Sequence, residues 1–319
     1  MGLLSGMYEH LSSMDSALPF DITIDGSTAR MTHHQGGMTT MLEPMEGILL
    51  SRHQIKSAGF KLSTKGVGDG VKINYCISGR LEVSMDGGRT LYMGPGDLSV
   101  ETSTAWDFSF PCDFYEGIEL FLHRMCLESP PRLFEEVGMD LRSVIAQLGT
   151  TRIHNWTRRA DDSTRRAFLS LFKMRRRNEE VAVRIGIIQL LLELSEQGAP
   201  PREADSTIFT RRQVDLAKQA ECLLTDDLSQ RRSIDSVASE LGIKPTVLKT
   251  YFKGVYGINI SELLSELRME EARRLVLMGD GSIADVAHAV GFANAGKFSE
   301  AFRKRYGMTP LRYRKEHAT

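Results

Sequence analysis

Residues 233–260, SIDSVASELGIKPTVLKTYFKGVYGINI, and residues 282–310, SIADVAHAVGFANAGKFSEAFRKRYGMTP, are two copies of one pattern. Ile234, Val237, Ala238, Leu241 and Gly242 recur 49 residues later as Ile283, Val286, Ala287, Val290 and Gly291. After one inserted residue, Leu248, Phe252, Tyr256 and Gly257 recur 50 residues later as Phe298, Phe302, Tyr306 and Gly307. In each copy a serine, Ser233 or Ser282, can accept from open backbone N–H groups and so start a short amphipathic helix. Gly242 or Gly291 then supplies a turn position where φ can be positive. A second helix follows, with Leu248 and Phe252, or Phe298 and Phe302, as an inward-facing i,i+4 pair. This is the helix-turn-helix layout, whose second helix enters the major groove of DNA. One copy alone fits a plain helical bundle equally well; repetition at a fixed offset decides for DNA binding.

Recognition helices read bases with their N-terminal residues. In the second copy Asn294, Ala295, Gly296 and Ser299 are the base-edge candidates. Arg303 and Lys304 are phosphate candidates, and Lys297 lies among them. Glu300 could accept from a cytosine amino group or simply be solvated. In the first copy the outward face holds Thr246, Lys249, Thr250 and Lys253. Each of these also reads as an ordinary solvated residue, and Ala295 and Gly296 leave little side chain to read with. Between the copies, Ser261 to about Gly279 is a good helix former with Leu263, Leu264, Leu267, Leu275 and Val276 as apolar positions. A helix of that length spans roughly 28 Å, near the ~34 Å of one DNA turn. One chain could therefore address two successive major-groove segments.

The charge distribution agrees. The whole chain carries −1, but residues 208–319 hold 18 Lys and Arg against 14 Asp and Glu. The basic end is where a polyanion docks. A length of 319 residues implies two domains. With 41% hydrophobic and 25% charged residues and no apolar run near ~20 residues, no membrane partner is expected. The start, MGLLSGMYEHLSSMD, lacks a basic segment ahead of an apolar one. It fits the N-myristoylation pattern only loosely. Cys76, Cys112, Cys126 and Cys222 form no CxxC pair and read as reduced thiols of a cytoplasmic protein.

Upstream, residues 20–123 read as short strands. Val71, Ile73, Tyr75 and Ile77 alternate at period two, as do Leu81, Val83 and Met85, and Trp106, Phe108 and Phe110. Turns at Ser78-Gly79, Asp86-Gly87-Gly88 and Pro95-Gly96-Asp97 separate them, which suggests a sandwich or small barrel. After Pro130-Pro131, helices are expected over 132–148, 161–177 and 179–197. The last has Val181, Ile185, Ile188, Leu191 and Leu192 at helical spacing. That stripe is either a dimer element or a face packed on the β-rich part. GAPPREADST, 198–207, reads as a linker. The expected organisation is a β-rich effector-sensing domain at 1–125, a helical part at 126–197, the linker at 198–207 and a DNA-binding domain at 208–319.

Gly291-Phe292, Phe298-Ser299, Phe302 and YGMTPLRYR closely resemble the signature of the AraC/XylS family of bacterial transcription regulators. The resemblance covers about residues 208–314 and departs at Gly296-Lys297, where the family more often has a small polar residue and an aromatic. It implies an α+β chain. An N-terminal cupin-like β-barrel with following helices would bind a small effector, and an all-α C-terminal domain would carry two helix-turn-helix units. DNA, RNA polymerase and a second copy of the chain are the implied partners, with activation the commoner outcome. PGDLSV, 95–100, is similar to the family's barrel turn. More loosely, YEGIELFL (115–122), the Pro-Pro helix and the helix 179–197 resemble the siderophore-responsive branch, which implies a ferric siderophore as effector and a role in iron acquisition.

Tyr75, Trp106, Phe108 and Phe121 are candidate effector contacts, or simply core. Arg52 and Lys72 could meet an anionic effector but read more readily as surface charges and are left out of the candidate sites. A cupin-type enzyme fused to the DNA-binding part would need several histidines and a carboxylate for its metal. His123 is the single histidine in 71–123, and His33-His34 and His53 lack an H-x-H pair followed by Glu. No catalytic or metal residue and no required cofactor is therefore expected. Control by a protein partner or an unrelated metabolite stays open beside the siderophore.

Overall fold

Alternation along Val71, Ile73 and Tyr75, and along Ile118, Leu120 and Leu122, gives neighbouring strands an apolar face that must be covered. The structure is a computed structural model. It describes residues 3–4, 6, 20–34, 36–56, 61–63, 69–85, 88–103, 107–111, 114–148, 156–174, 179–199, 208–230, 232–279 and 281–317. The chain divides into two units, Met1–Phe209 and Thr210–Thr319. Most of the expected linker, from residue 200 to 207, lies outside the described residues, as does Trp106.

In the first unit eight strands form one antiparallel sheet. Their order is β1 (Phe20–Asp25), β2 (Thr28–His33), β3 (Gly37–Met45), β4 (Ile48–Ile55), β11 (Tyr115–His123), β6 (Gly70–Gly79), β9 (Asp97–Ser103) and β12 (Trp156–Arg159). A second sheet runs β13 (Ile208–Thr210), β8 (Arg89–Met93), β7 (Leu81–Met85), β10 (Asp107–Ser109) and β5 (Lys61–Ser63). Among the described residues neither sheet closes on itself, so two open sheets stand where a barrel was expected. One face of the larger sheet, with Ile73, Tyr75, Val100, Ile118 and Leu120, packs under the helices. The other, with Leu49, Ile55, Cys76 and Phe121, meets Leu81, Val83, Leu91, Met93 and Phe108 of the smaller sheet.

The helices of this unit are α1 (Arg124–Glu128), α2 (Arg132–Glu136), α3 (Leu141–Gln147), α4 (Asp162–Lys173) and α5 (Glu179–Gln197). The single helix expected over 132–148 is two. Gly138 turns at φ +70°, and Asp140 starts α3 by accepting from the Arg142 N–H at 3.1 Å. Strand β12 was not expected. Its Trp156 is buried and donates its indole N–H to the Leu148 carbonyl at 2.8 Å, which ties the strand to the end of α3.

Helix α5 divides the expected apolar stripe: Leu191 lies in the core and Ile188 packs against it, while its other three members face outward. Val183, Ile187, Leu190, Leu191 and Leu194 are the residues packed in the core. Val181, Ile185 and Leu192 are 57%, 63% and 46% exposed. The helix is apolar on two opposite faces. None of the described helices is long and apolar enough to cross a membrane.

Arg52 and Lys72 are not surface charges: they are 3% and 1% exposed. Arg52, on the helix-facing side of β4, donates to the Leu171 carbonyl at 3.1 Å and to Glu179 at 2.5 Å. It thereby ties the sheet to α4 and to the first turn of α5. Lys72 faces the smaller sheet, its Nζ 3.5 Å from the centre of the Phe108 ring, 3.6 Å from Glu119 and 4.0 Å from Glu101. A buried charge is tolerable only in such company.

On the same inner side, the Thr39 hydroxyl sits 2.9 Å from His33 Nε2 and 3.1 Å from His53 Nδ1. Burial first, then the charges of His53 and His34, push His33 down to about 4. Burial and then the Lys72 charge push His53 down to about 4. Both rings are neutral in the fold at neutral pH, while the unfolded chain binds protons below about 6.5. Stability of this unit is therefore full above pH 6.5 and is lost as pH falls toward 4, by up to about 1.4 kcal/mol per pH unit per histidine. Both tryptophans of the chain, Trp106 and Trp156, belong to this unit, so urea melts followed by tryptophan fluorescence report on it alone. The midpoint should drop between pH 6.5 and 4.5, and His53→Gln should flatten that slope; a midpoint independent of pH would contradict the assignment.

Candidate nucleic-acid interface

The second unit is built from the repeat. Helices α6 (Arg211–Thr225), α7 (Ile234–Glu240) and α8 (Pro245–Tyr256) surround one core, with Ala220, Leu224, Val237, Ala238, Leu248 and Phe252. Helices α10 (Ile283–Ala289), α11 (Ala295–Tyr306) and α12 (Pro310–His317) surround another, with Val286, Ala287, Val290, Phe298 and Phe302. Helix α9 (Ile260–Met278) belongs to both. Ile260 and Leu264 lie in the first core, and Met269, Ala272 and Val276 in the second.

Each helix start follows from its capping residue. Ser233 accepts from the Ser236 N–H at 3.0 Å. Ser282 accepts from the Asp285 N–H at 3.2 Å, and the Asp285 carboxylate accepts the Ser282 N–H in return. Asn294 Oδ1 accepts from Gly296 and Lys297 at 2.8 and 3.0 Å. Helix α8 begins on Pro245, whose fixed φ suits a first helical position. The repeated tyrosines anchor differently: Tyr256 donates to Glu221 at 2.7 Å and Tyr306 to the Met269 carbonyl at 3.0 Å.

With Leu248, Phe252, Phe298 and Phe302 turned inward, the opposite faces of α8 and α11 are open. Thr246, Lys249, Thr250 and Lys253 are all exposed, and the structure brings them onto one face of α8. On α11, Gly296, Lys297, Arg303 and Lys304 are exposed, Asn294 is exposed ahead of the helix, and Ala295 and Ser299 are half-buried. Two further exposed cations were not singled out from the sequence: Lys244 ahead of α8 and Arg305 in the last turn of α11. Arg305 adjoins Lys304, already chosen, and Lys244 lies two residues before Thr246, so both were readable as basic residues at the same helices. Other basic residues are engaged elsewhere. Arg314 donates to the Val276 and Gly281 carbonyls, both at 3.0 Å, tying α12 to the end of α9. Arg312 pairs with Glu316 at 2.6 Å.

The effector candidates do not converge. Tyr75 lies on the helix side, stacked on Phe168 with ring centres 5.0 Å apart. Phe108 and Phe121 lie together between the sheets. Around them the structure gathers polar groups that the sequence reading left out. Asn74 and Ser99 donate to Glu101 at 3.2 and 2.6 Å, beside Lys72 and Glu119. Among the described residues no group of three or more His, Cys, Asp or Glu could hold a metal ion.

Comparison with known proteins bears on the second unit. Residues 237–316 match the family described as Helix-turn-helix domain. The chain is 34% identical over 132 residues to the virulence regulon transcriptional activator VirF of Yersinia enterocolitica, covering 41% of this chain and 47% of that one. It is 36% identical over 81 residues to the HTH-type transcriptional regulator ExsA of Pseudomonas aeruginosa, covering 25% and 29%. The chain thus spans less than half the length of these relatives. Among solved structures, the C-terminal domain of AraT, a response regulator from Geobacillus stearothermophilus, is 31% identical over 33% of this chain and 87% of that one, with a TM-score of 0.32.

The two turn glycines differ in what surrounds them. Gly242 has φ +68° and open space where a Cβ would stand. Gly291 has φ +78°, and a Cβ there would lie 2.7 Å from the Leu228 carbonyl oxygen. That carbonyl also receives the Arg268 side chain of α9 at 3.3 Å, so the second turn is wedged against the first half. Gly242→Ala should cost about 1–2 kcal/mol from backbone strain, and Gly291→Ala at least about 1 kcal/mol more from overpacking. Phe302→Ala, at a fully buried site, should cost about 3–5 kcal/mol. Urea unfolding followed by far-UV circular dichroism checks all three; equal costs for the two glycine variants would refute the wedge.

Proposed function

We propose that this chain is a transcription regulator of the AraC/XylS type that binds a specific duplex through α8 and α11. The observation that carries this reading is the pair of exposed second helices, each standing on its own core and joined by one shared helix of 19 residues. At 1.5 Å per residue that helix is roughly 28 Å long, comparable with the ~34 Å between successive major-groove segments on one DNA face. VirF is named as an activator, and activation is the regulatory sign proposed here, with RNA polymerase as the partner. A chain of this kind works in the cytoplasm and performs no catalysis.

The first unit is the proposed sensor. A small effector would bind between the two sheets, at Phe108 and Phe121 with Lys72, Asn74, Ser99 and Glu101, and shift the population able to engage DNA. The ferric siderophore implied by the looser resemblance is one candidate; an unrelated metabolite or a protein partner is the alternative. The stripe Val181, Ile185, Ile188 and Leu192, exposed except at Ile188, which is half-buried against the core, has the 4-3-4 spacing of a two-helix seam and is the proposed contact with a second copy.

Four measurements test these statements. Gel-shift and fluorescence-anisotropy titrations at low salt should retain duplex DNA, and a complete failure to do so removes the DNA-binding reading. Arg303→Ala should weaken binding to every sequence and reduce the slope of log affinity against log salt by about one. Ile185→Glu should lower the mass seen in sedimentation without lowering the melting temperature; an unchanged mass excludes the seam. A calorimetric panel on the full chain, with ferric siderophores as one arm, tests the effector class.

A further inference from the structure

The two helix-turn-helix units share a core plan but not an outward face. Positions 246, 249, 250 and 253 of the first correspond to 296, 299, 300 and 303 of the second, so Thr, Lys, Thr, Lys faces out from α8 and Gly, Ser, Glu, Arg from α11. The α8 set is exposed throughout. Lys249 can donate to guanine O6 and N7, and the threonines offer a hydroxyl and a methyl to base edges. Thr250 turns its hydroxyl proton back to the Thr246 carbonyl at 3.0 Å, which orients its oxygen and methyl.

The start of α11 has little with which to read. Gly296 has no side chain and Ala295 only a methyl. The Asn294 oxygen is taken by two backbone N–H groups of its own helix. Ser299 is short and half-buried. Lys297 stands about 100° round the helix from Gly296, level with half-buried Val247 of the first unit, so it leaves the flank of the helix rather than its reading face. Glu300, exposed on that face, is repelled by the phosphates flanking a groove and resists deep seating. Apart from Lys297, the cations of α11 gather in its last turn, as Arg303, Lys304 and Arg305, which suits contacts to the phosphate backbone.

Resting on the reading of this chain as a duplex binder, we propose that its two units divide the work. The first, through Thr246, Lys249 and Thr250, determines sequence preference; the second is a sequence-tolerant clamp on the phosphate backbone about one helical turn away.

The test is selection of bound duplexes from a random pool by the full chain, for the wild type and for Lys249→Ala, Thr246→Ala, Ser299→Ala, Glu300→Ala and Arg303→Ala. All five sites lie on exposed or half-exposed surface, and matched melting curves establish that each variant is folded. Every recurring sequence box, whether one or repeated by a second copy, should respond to the α8 variants. Lys249→Ala should relax the preference at one position roughly ten-fold. Ser299→Ala and Glu300→Ala should leave the selected sequences unchanged, and Arg303→Ala should lower retention of all duplexes alike. A distinct box that is altered by Ser299→Ala or Glu300→Ala and untouched by the α8 variants overturns the division of work. Retention of DNA with no recurring box overturns it as well, while leaving DNA binding standing. No retained DNA at low salt removes the underlying reading itself.

Discussion

Helix α9 is the element on which the second unit depends. Each half offers only about eight fully buried residues to its core, and helical pieces of about 50 residues are marginal on their own. Ile260 and Leu264 complete one core while Met269, Ala272 and Val276 complete the other, so a single continuous helix is structural in both. Neither α8 nor α11 can shift along the axis of α9 without opening a core. Arg268 and the Leu228 carbonyl, set against Gly291, remove much of the remaining freedom to pivot. The spacing between the two outward faces is thereby set within the protein, before any DNA is met.

In the first unit the constraint is of another kind. The central stretches of β4, β6 and β11 are covered on both sides, so most residues along them are inside, whatever their chemistry. Arg52 answers by pairing with Glu179 and a backbone carbonyl on the helix side. Lys72 answers by sitting among Glu101, Glu119 and the Phe108 ring. The two cations project from opposite faces of one sheet, and Arg52 reaches α5. A ligand bound at the Lys72 group as proposed would therefore act on strands whose other face holds α5, which is the physical link the proposed sensor requires.

The sequence made the repeat legible because the same spacing of serine, small apolar residues, glycine and aromatic pair occurs twice, and each of those residues has a local job. Ser233 and Ser282 do cap, and Gly242 and Gly291 do turn at positive φ. What stayed hidden depends on contacts far apart in the chain. Lys72 alternates with Val71 and Ile73, so its facing was readable, but its burial needed knowledge that a second sheet lies opposite. On α5 apolar residues fall on two opposite faces, and periodicity alone could not say which stripe faced the core. The stripe chosen, with Val181, Ile185 and Leu192, is largely the exposed one. Strand β12 is four residues long and declares itself only by pairing with β9.

A duplicated unit shows which of its residues answer to the fold and which answer to something outside. At the inward positions the copies agree in kind: Leu248 with Phe298, Phe252 with Phe302, Tyr256 with Tyr306, each held by packing density. At three of the four outward positions they part, with Thr against Gly, Lys against Ser and Thr against Glu, while Lys253 and Arg303 are both cations. Packing imposes nothing there, and solvent would accept either set. Two faces of unlike chemistry, held at one spacing by a shared helix, cannot present the same pattern to two successive grooves. A single chain bound as proposed would in that sense be directional along a duplex, and any symmetry in its target would have to come from a second copy.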